Sequence, residues 1–260
     1  MGSLMRRGAV AAGAAVVLLS PAVGGAPLAA AAQAVSGGTW GTAIVVPGTA
    51  ALNTGGAAQV YSVSCRAAGS CSAGGSYFDS SGHGQVFVAS QVNGSWGKAK
   101  EVPGTAALNT GGNDGVYSLS CGAAGTCSAA GYYTESSHAQ QAFVASQVNG
   151  TWGKAKEVPG TAALNTGNSA VVFSVSCAAA GSCSAGGLYT DSSGHFQVFV
   201  ASQVNGTWGA AVEVPGTAAL NTGGNARLYS VSCGAAGTCS AGGFYTDSSN
   251  HQQAFVVSQA

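Results

Sequence analysis

The stretch from Val171 to Pro215 shows most plainly how apolar and polar positions alternate along this chain. Val171-Val172-Phe173-Ser174-Val175-Ser176-Cys177 is rich in β-branched residues and predicts a strand. Ala178 to Ser182 carries a glycine and reads as a turn, after which Cys183 to Thr190 predicts a second strand. Asp191-Ser192-Ser193-Gly194 has the composition of a loop. His195 to Gln203 predicts a third strand, whose near-continuous apolar centre implies burial on both faces. Asn205-Gly206 is a strong hairpin signal of type I′. Trp208 to Val214 predicts a fourth strand, stopped by Pro215. No stretch shows the helical period of about 3.6 residues.

This pattern recurs. Trp40, Trp96, Trp152 and Trp208 lie 56 residues apart, and four units without insertion or deletion run from Thr39 to the end. A period of this size indicates a solenoid, a propeller or an array. Lys98 and Lys100, then Lys154 and Lys156, alternate along the fourth strand, as on an exposed sheet edge. A unit so rich in Gly and Ser offers little core of its own, so units that cover one another's faces are favoured over independent domains. Four antiparallel strands with the last outermost describe a propeller blade. The chain stops just after a third strand, at Phe255 to Ala260, while residues 36–48 hold a turn and outer strand with no unit of their own. The expectation is therefore all-β: a four-bladed β-propeller of 56-residue blades, four antiparallel strands each, closed by the N-terminal strand pairing into the last blade.

Composition narrows the setting. Arg6-Arg7, the apolar run Gly8–Ser20 and the small-residue pattern Ala32-Gln33-Ala34 read as a signal peptide over residues 1–34, with the propeller over 35–260. The apolar run is short for a membrane span. The chain has 8 Lys+Arg and 8 Asp+Glu, and losing Arg6 and Arg7 leaves a net charge of −2. No basic face remains for a row of phosphates, so nucleic acid is not an expected partner. The eight cysteines form four pairs of one spacing: Cys65 with Cys71, Cys121 with Cys127, Cys177 with Cys183, and Cys233 with Cys239. With export, an even count and five intervening residues, they predict disulfides that each close a hairpin, and no zinc site.

The turn Ser-Gln-Val-Asn-Gly-Thr-Trp at 202–208 resembles the Asp-box of sialidase-type propellers, a Ser-x-Asp-x-Gly-x-Thr-Trp turn between third and fourth strands. It is one residue shorter and has Asn in place of Asp. That turn lies away from sialidase active sites, so the resemblance implies a fold and no glycosidase activity. The Ser-Cys-x5-Cys…Gly-x-Tyr units are similar to repeats of secreted actinobacterial propeller proteins, and the small repeated blades to tachylectin-like lectins. The likeness covers residues 36–260 and implies architecture more than function.

In a propeller, the loop leading into the next inner strand shares a face with the loop between second and third strands. The first kind holds Asn53, Asn109, Asn165 and Asn221. The second holds Tyr77 and Asp79, Tyr133 and Glu135, Tyr189 and Asp191, Tyr245 and Asp247, then His83, His138, His195 and His251. A ring beside a carboxylate and an amide suits a sugar, the ring covering its apolar face and the polar groups binding hydroxyls. Read as ordinary turn chemistry, the same Asn and Asp bond their own backbone and the tyrosines pack between blades. Asp114, Arg227 and Arg66 are peculiar to single units, Asn113 recurs as Asn225, and a unique site would lie at the Asp114 and Arg227 loops.

No Ser-His-Asp set, H-E-x-x-H or cofactor fingerprint is present in the sequence, so no catalytic residue, metal or cofactor is expected. The acidic ring Asp79, Glu135, Asp191 and Asp247 leaves a glycoside-acting enzyme as a weaker alternative. The expected function is a secreted, non-catalytic binding propeller that recognises extracellular or cell-surface glycans. The rival is a disulfide-stapled structural or protein-interaction module with no small-molecule ligand.

Overall fold

A computed structural model describes residues 38–259. Four antiparallel sheets repeat along it, each resembling a propeller blade. The first contains β1 (Ala58–Ala67), β2 (Ser70–Phe78), β3 (Gly84–Val92), β4 (Ser95–Trp96) and β5 (Lys100–Glu101). The second contains β6 (Gly115–Ala123), β7 (Thr126–Thr134), β8 (Gln140–Val148), β9 (Thr151–Trp152) and β10 (Lys156–Glu157). The third contains β11 (Ala170–Ala179), β12 (Ser182–Thr190), β13 (Phe196–Val204), β14 (Thr207–Trp208) and β15 (Val212–Glu213). The fourth contains β16 (Arg227–Ala235), β17 (Thr238–Thr246) and β18 (Gln252–Ser258).

The predicted strands and turns form where apolar runs and turn residues place them. Asn93-Gly94, Asn149-Gly150 and Asn205-Gly206 take the paired positive φ that a type I′ hairpin needs. The third strands are buried on both faces around Val86, Phe87 and Val88 and at the matching positions of β8, and in β13 at Val198 and Phe199 with Val200 half-buried. The Lys98, Lys100, Lys154 and Lys156 residues are exposed on the outer edge.

The cysteines pair as expected. Cys65 is disulfide-bonded to Cys71, Cys121 to Cys127, Cys177 to Cys183, and Cys233 to Cys239. Each bond joins directly opposed residues of a first hairpin, with Cα atoms 3.9–4.0 Å apart. Cys127, Cys183 and Cys239 are buried, and Cys71 is half-buried, because no sheet precedes the first to cover it.

Two local differences have clear causes. The fourth strand is two short pieces, because its middle is diverted to the preceding unit: Ala99, Ala155 and Ala211 donate their N–H groups to the carbonyls of Pro47, Pro103 and Pro159, at 2.7, 2.7 and 2.6 Å. The second is four one-turn helices, α1 (Thr49–Leu52), α2 (Thr105–Leu108), α3 (Thr161–Leu164) and α4 (Thr217–Leu220). Four residues are too few to display a helical period. Each starts after a glycine in the left-handed region, and its buried threonine donates to the carbonyl three residues back at 2.7–2.8 Å.

Neighbouring sheets pack face to face through their first strands. Val86, Val88, Val116 and Leu119 lie in the core between the first two sheets, and Val144, Val172, Val175 and Ala185 in the next. The first strand of a sheet is an edge, so its outward N–H groups need partners. Serines of the preceding sheet supply them. Ser62 and Ser64 accept from Leu119 N (2.9 Å) and Cys121 N (3.1 Å). Ser118 and Ser120 accept from Val175 N and Cys177 N, both at 3.0 Å. Ser174 and Ser176 accept from Val231 N (2.9 Å) and Cys233 N (3.1 Å). Further out, Gln147 donates to Ser90 and Gln203 to Ser146, both at 3.0 Å.

The expected ring closure is not detected among the described residues. The fourth sheet has three strands, no strand is assigned in residues 38–47, and β1 does not pack on β16 as consecutive first strands do. The serine joint is used three times, and β1 and β16 stand at the two ends of this series of sheets. The signal peptide assigned to 1–34 lies outside the described residues.

Every first hairpin also carries a bulge. Val60 pairs with Gly75 and Ser62 with Gly74, so Tyr61 is the extra residue, and the same shift recurs at 117, 173 and 229. The bulge brings the first strand's backbone so close that a Cβ on Gly187 would overlap the carbonyl oxygen of Val171. Gly75, Gly131 and Gly243 stand against Gln59, Gly115 and Arg227 in the same way. Backbone cannot yield as a side-chain tip can. Gly187→Ala should therefore cost about 3 kcal/mol or more in urea unfolding, whereas a loss below about 1 kcal/mol would show that the bulge is not constrained there.

Candidate functional site

The loops between second and third strands do meet those leading into the next first strand. Gly111 N donates to Thr134 O at 2.8 Å and Ser136 N to Thr110 Oγ1 at 2.8 Å. Within this loop face, however, the expected site residues are directed at the protein itself.

The tyrosines belong to the core. Tyr77, Tyr133 and Tyr189 are 4%, 2% and 3% exposed and leave no ring face open for a sugar. Tyr77 donates to Glu101 Oε2 at 3.3 Å, and Tyr189 donates to Glu213 Oε2. Burial first, then these carboxylates, push both phenols above their ordinary pKa. Tyr245 is half-buried, its sheet lacking the outer strand.

The asparagines are clips between units. Asn109 Nδ2 donates to Gly84 O at 2.8 Å, while its Oδ1 accepts from Asn113 N at 2.9 Å. Asn165 donates to Gln140 O (3.0 Å) and Gln141 Oε1 (2.9 Å) and accepts from Ser169 N (2.7 Å). Asn221 donates to Phe196 O (2.8 Å) and Gln197 Oε1 (3.0 Å) and accepts from Thr246 N (3.3 Å). Asn53 has no preceding sheet to clip, and its buried Oδ1 also lacks a partner.

The aspartates organise their own turns. Asp79 Oδ1 accepts from Ser81 N (2.8 Å) and His83 N (3.0 Å), and its Oδ2 from Gln85 Nε2 (3.1 Å). Asp191 and Asp247 repeat the arrangement with Ser193, His195 and Gln197, and with Ser249, His251 and Gln253. For Asp79 and Asp191, burial pulls the pKa up, but the hydrogen bonds together outweigh it and hold the carboxyl below its usual range. For Asp247 the Gln253 amide is the largest influence, and it also lowers the pKa.

Glu135 keeps the backbone bonds of that turn, Glu135 N to Ala139 O and His138 N to Glu135 O, but its side chain does not hold it; Oε2 accepts from Ser137 Oγ at 3.4 Å. His138 stands at φ 67°, where the other units place Gly82, Gly194 and Asn250, and Ala139 takes the position of the other histidines. His83 and His195 lie 4.0 and 3.8 Å from Asp79 and Asp191 and rest on Gly112 and Gly224 of the next unit. His251 is exposed, with its backbone N–H in the Asp247 turn. No cluster of metal-ligating side chains occurs among the described residues.

The unit-specific residues are not brought together. Asn113, whose counterpart in the fourth unit is Asn225, accepts from the Tyr132 hydroxyl at 3.1 Å. Arg227 places its guanidinium 5.7 Å from the centre of the Phe196 ring, across the third joint. Arg66 is exposed. Asp114 is 4% exposed at a position that is alanine in the other three units, Ala58, Ala170 and Ala226. Neither of its carboxylate oxygens has a hydrogen-bond partner. Burial, then the charge of Glu101, pushes its pKa up to about 8.

What the sequence reading missed is an aromatic strip. The bulge residues Tyr61, Tyr117, Phe173 and Tyr229 form a continuous row, with ring centres 5.9, 5.8 and 5.9 Å apart. Tyr132 and Phe244 flank it at 5.5 and 5.9 Å. Tyr61, Tyr117 and Tyr229 are exposed, in contrast to the loop tyrosines. A bulge re-aims the extra residue's side chain, and here it turns one aromatic ring per unit out of the alternation. The signal was present as VYS, VYS, VFS and LYS in the four units: an aromatic at the same place each time.

No family model matches the chain. No curated protein matches it either. Among solved structures, the chain is similar to a subtype N11 neuraminidase-like protein of A/flat-faced bat/Peru/033/2010 (H18N11), at 14% identity and a TM-score of 0.39. The match covers 74% of this chain and about half, 52%, of that one. A likeness at this level carries no functional argument.

Asp114 gives a pH dependence of definite sign. Its folded pKa of about 8 lies above the unfolded value near 4, so between these values the folded state holds the extra proton. Stability must then fall as pH rises from about 4 to about 8 and level off beyond, by at most about 5 kcal/mol. The lowered aspartates act in a separate window, their contribution being lost as pH falls through their folded pKa values, below about 4. Asp114→Ala should abolish the fall and raise the unfolding midpoint most at pH 9. An unfolding midpoint in the parent protein that is the same at pH 5 and pH 9 would contradict this.

Proposed function

We propose that this protein is a secreted, non-catalytic binding propeller whose ligand lies on the aromatic strip, and that the ligand is carbohydrate. The observation that carries the reading is the row of bulge residues Tyr61, Tyr117, Phe173 and Tyr229 at a spacing of 5.8–5.9 Å, its three tyrosines exposed and Phe173 half-buried. Exposed aromatic rings at regular intervals suit the apolar faces of successive sugars, and the phenolic hydroxyls add hydrogen-bonding groups at the rim. Four weak contacts along one chain reinforce one another on a polymeric ligand. Four disulfides fit an oxidising compartment, which supports secretion. The absence of catalysis is supported by the aspartates Asp79, Asp191 and Asp247, which have both oxygens committed to turns.

The second reading is a structural or protein-interaction module. It is favoured by the inward use of the loop face, where the Asn109, Asn165 and Asn221 amides donate to the first residues of the preceding sheet's third strand. A glycan array on the intact protein separates the two. Binding to extended glycans is expected, weakened about tenfold or more by Tyr117→Ala with Tyr229→Ala. A blank array from folded protein removes the carbohydrate reading.

A further inference from the structure

The joint between the first and second sheets is built differently from the other two at its loop end. One backbone bond is common to all three: Gly84 N donates to Gly112 O at 2.9 Å, and Gln140 N to Asn168 O and Phe196 N to Gly224 O, both at 3.0 Å. In the second and third joints a parallel bridge sits beside it, Gln140 with Ser169 and Phe196 with Asn225. Gly84 and Asn113, the matching pair, form none. The amide clip differs as well. Asn165 and Asn221 also donate to a glutamine, Gln141 Oε1 at 2.9 Å and Gln197 Oε1 at 3.0 Å. Asn109 donates to Gly84 O alone, and Gln85 Oε1 is left buried without a partner.

Asp114 stands at the centre of these differences. A Cβ on Gly84 would lie 3.6 Å from Asp114 N, so Asp114 adjoins the Gly84–Gly112 bond. Ala170 and Ala226 bury only a methyl group at the same place in the other joints. The titratable groups that face Asp114 are Glu101 of β5, Asp79 just after β2, Tyr77 of β2 and Tyr132 of β7. None is a cation, and Glu101 and Asp79 both oppose a charge on it. The unpaired buried atoms at this end of the joint are all acceptors: Asp114 Oδ1 and Oδ2 and Gln85 Oε1. Metal-ligating side chains do not cluster among the described residues. A proton on the carboxyl supplies the O–H that these atoms lack and removes the charge.

We propose that Asp114 is a proton-operated latch: with its carboxyl protonated the loop end of the first joint stays packed, and with the proton gone that end parts at the Gly84–Gly112 bond while the second and third joints stay shut. The direction follows from burial. A carboxylate in the closed joint has no partner, whereas in the open joint water solvates it. Opening therefore becomes easier as pH rises from the ordinary carboxyl value near 4 to about 8 in the closed joint, and levels off beyond. It requires no global unfolding, because Ser62 and Ser64 hold the same joint further along β6. The latch also adjoins the aromatic strip, since Asn113 accepts from Tyr132, which flanks Tyr117.

Hydrogen exchange on the intact protein at pH 5 and pH 8, corrected for intrinsic amide chemistry, tests this without any glycan. The outcome is thus independent of the carbohydrate reading. The Gly84 amide should lose protection about tenfold or more between the two conditions, and the Gln140 and Phe196 amides should not follow it. The third joint also controls for histidine, because His195 rests on Gly224 as His83 rests on Gly112. Asp114→Asn, neutral and of nearly the same shape, should keep Gly84 protection level across the range, and so should Asp114→Ala. An unchanged Gly84 amide in the parent, an equal loss at all three amides, or a pH response that survives in either folded variant would overturn the proposal.

Discussion

The array depends on how the first strand of each sheet satisfies its outward amides. Two serines of the preceding sheet accept from two N–H groups of the next, at 2.9–3.1 Å in all three joints. The net gain per bond is modest, about 1 kcal/mol, but a buried N–H left without a partner costs about 1–3 kcal/mol. The larger number governs the design. Serine is small enough to let two strands approach, and its hydroxyl replaces the partner strand that an edge lacks. Once that joint is fixed, the neighbouring sheets share one core, and no sheet has to stabilise itself.

The same constraint explains the loop face. Repeats packed in series bring each loop against the next, and buried polar groups there must be hydrogen-bonded. Asn109, Asn165 and Asn221 meet that demand between units, and Asp79, Asp191 and Asp247 meet it within turns. Residues that suit a sugar site by type are thus consumed in holding the loops. The bulge has the opposite effect. It takes one aromatic residue per unit out of the strand alternation and leaves it on the surface.

Much of the fold was legible because it rests on local chemistry. Asn-Gly turns, cysteine spacing and the apolar third strand act within a few residues, and the structure has each where the sequence placed it. The break in the fourth strand was not legible, since the partner that diverts Ala155 is Pro103, more than fifty residues away. Nor was the burial of Tyr77, Tyr133 and Tyr189: a Gly-x-Tyr-x-Asp stretch reads alike whether the ring faces water or core. The serine joint was hidden for a related reason. Ser-x-Ser-Cys looks like the polar half of an alternating strand until the neighbouring sheet is in place. Ring closure was expected from matching sequence fragments, and no strand is assigned in residues 38–47 to pair with β18.

The central claim is that serine hydroxyls on one sheet protect the first strand of the next. Hydrogen exchange at the middle joint tests it most directly, in the variant Ser118→Ala with Ser120→Ala. The account predicts that the amides of Val175 and Cys177 lose protection selectively, with a loss of about 2 kcal/mol in overall stability. Unchanged protection at both amides in that variant would contradict it.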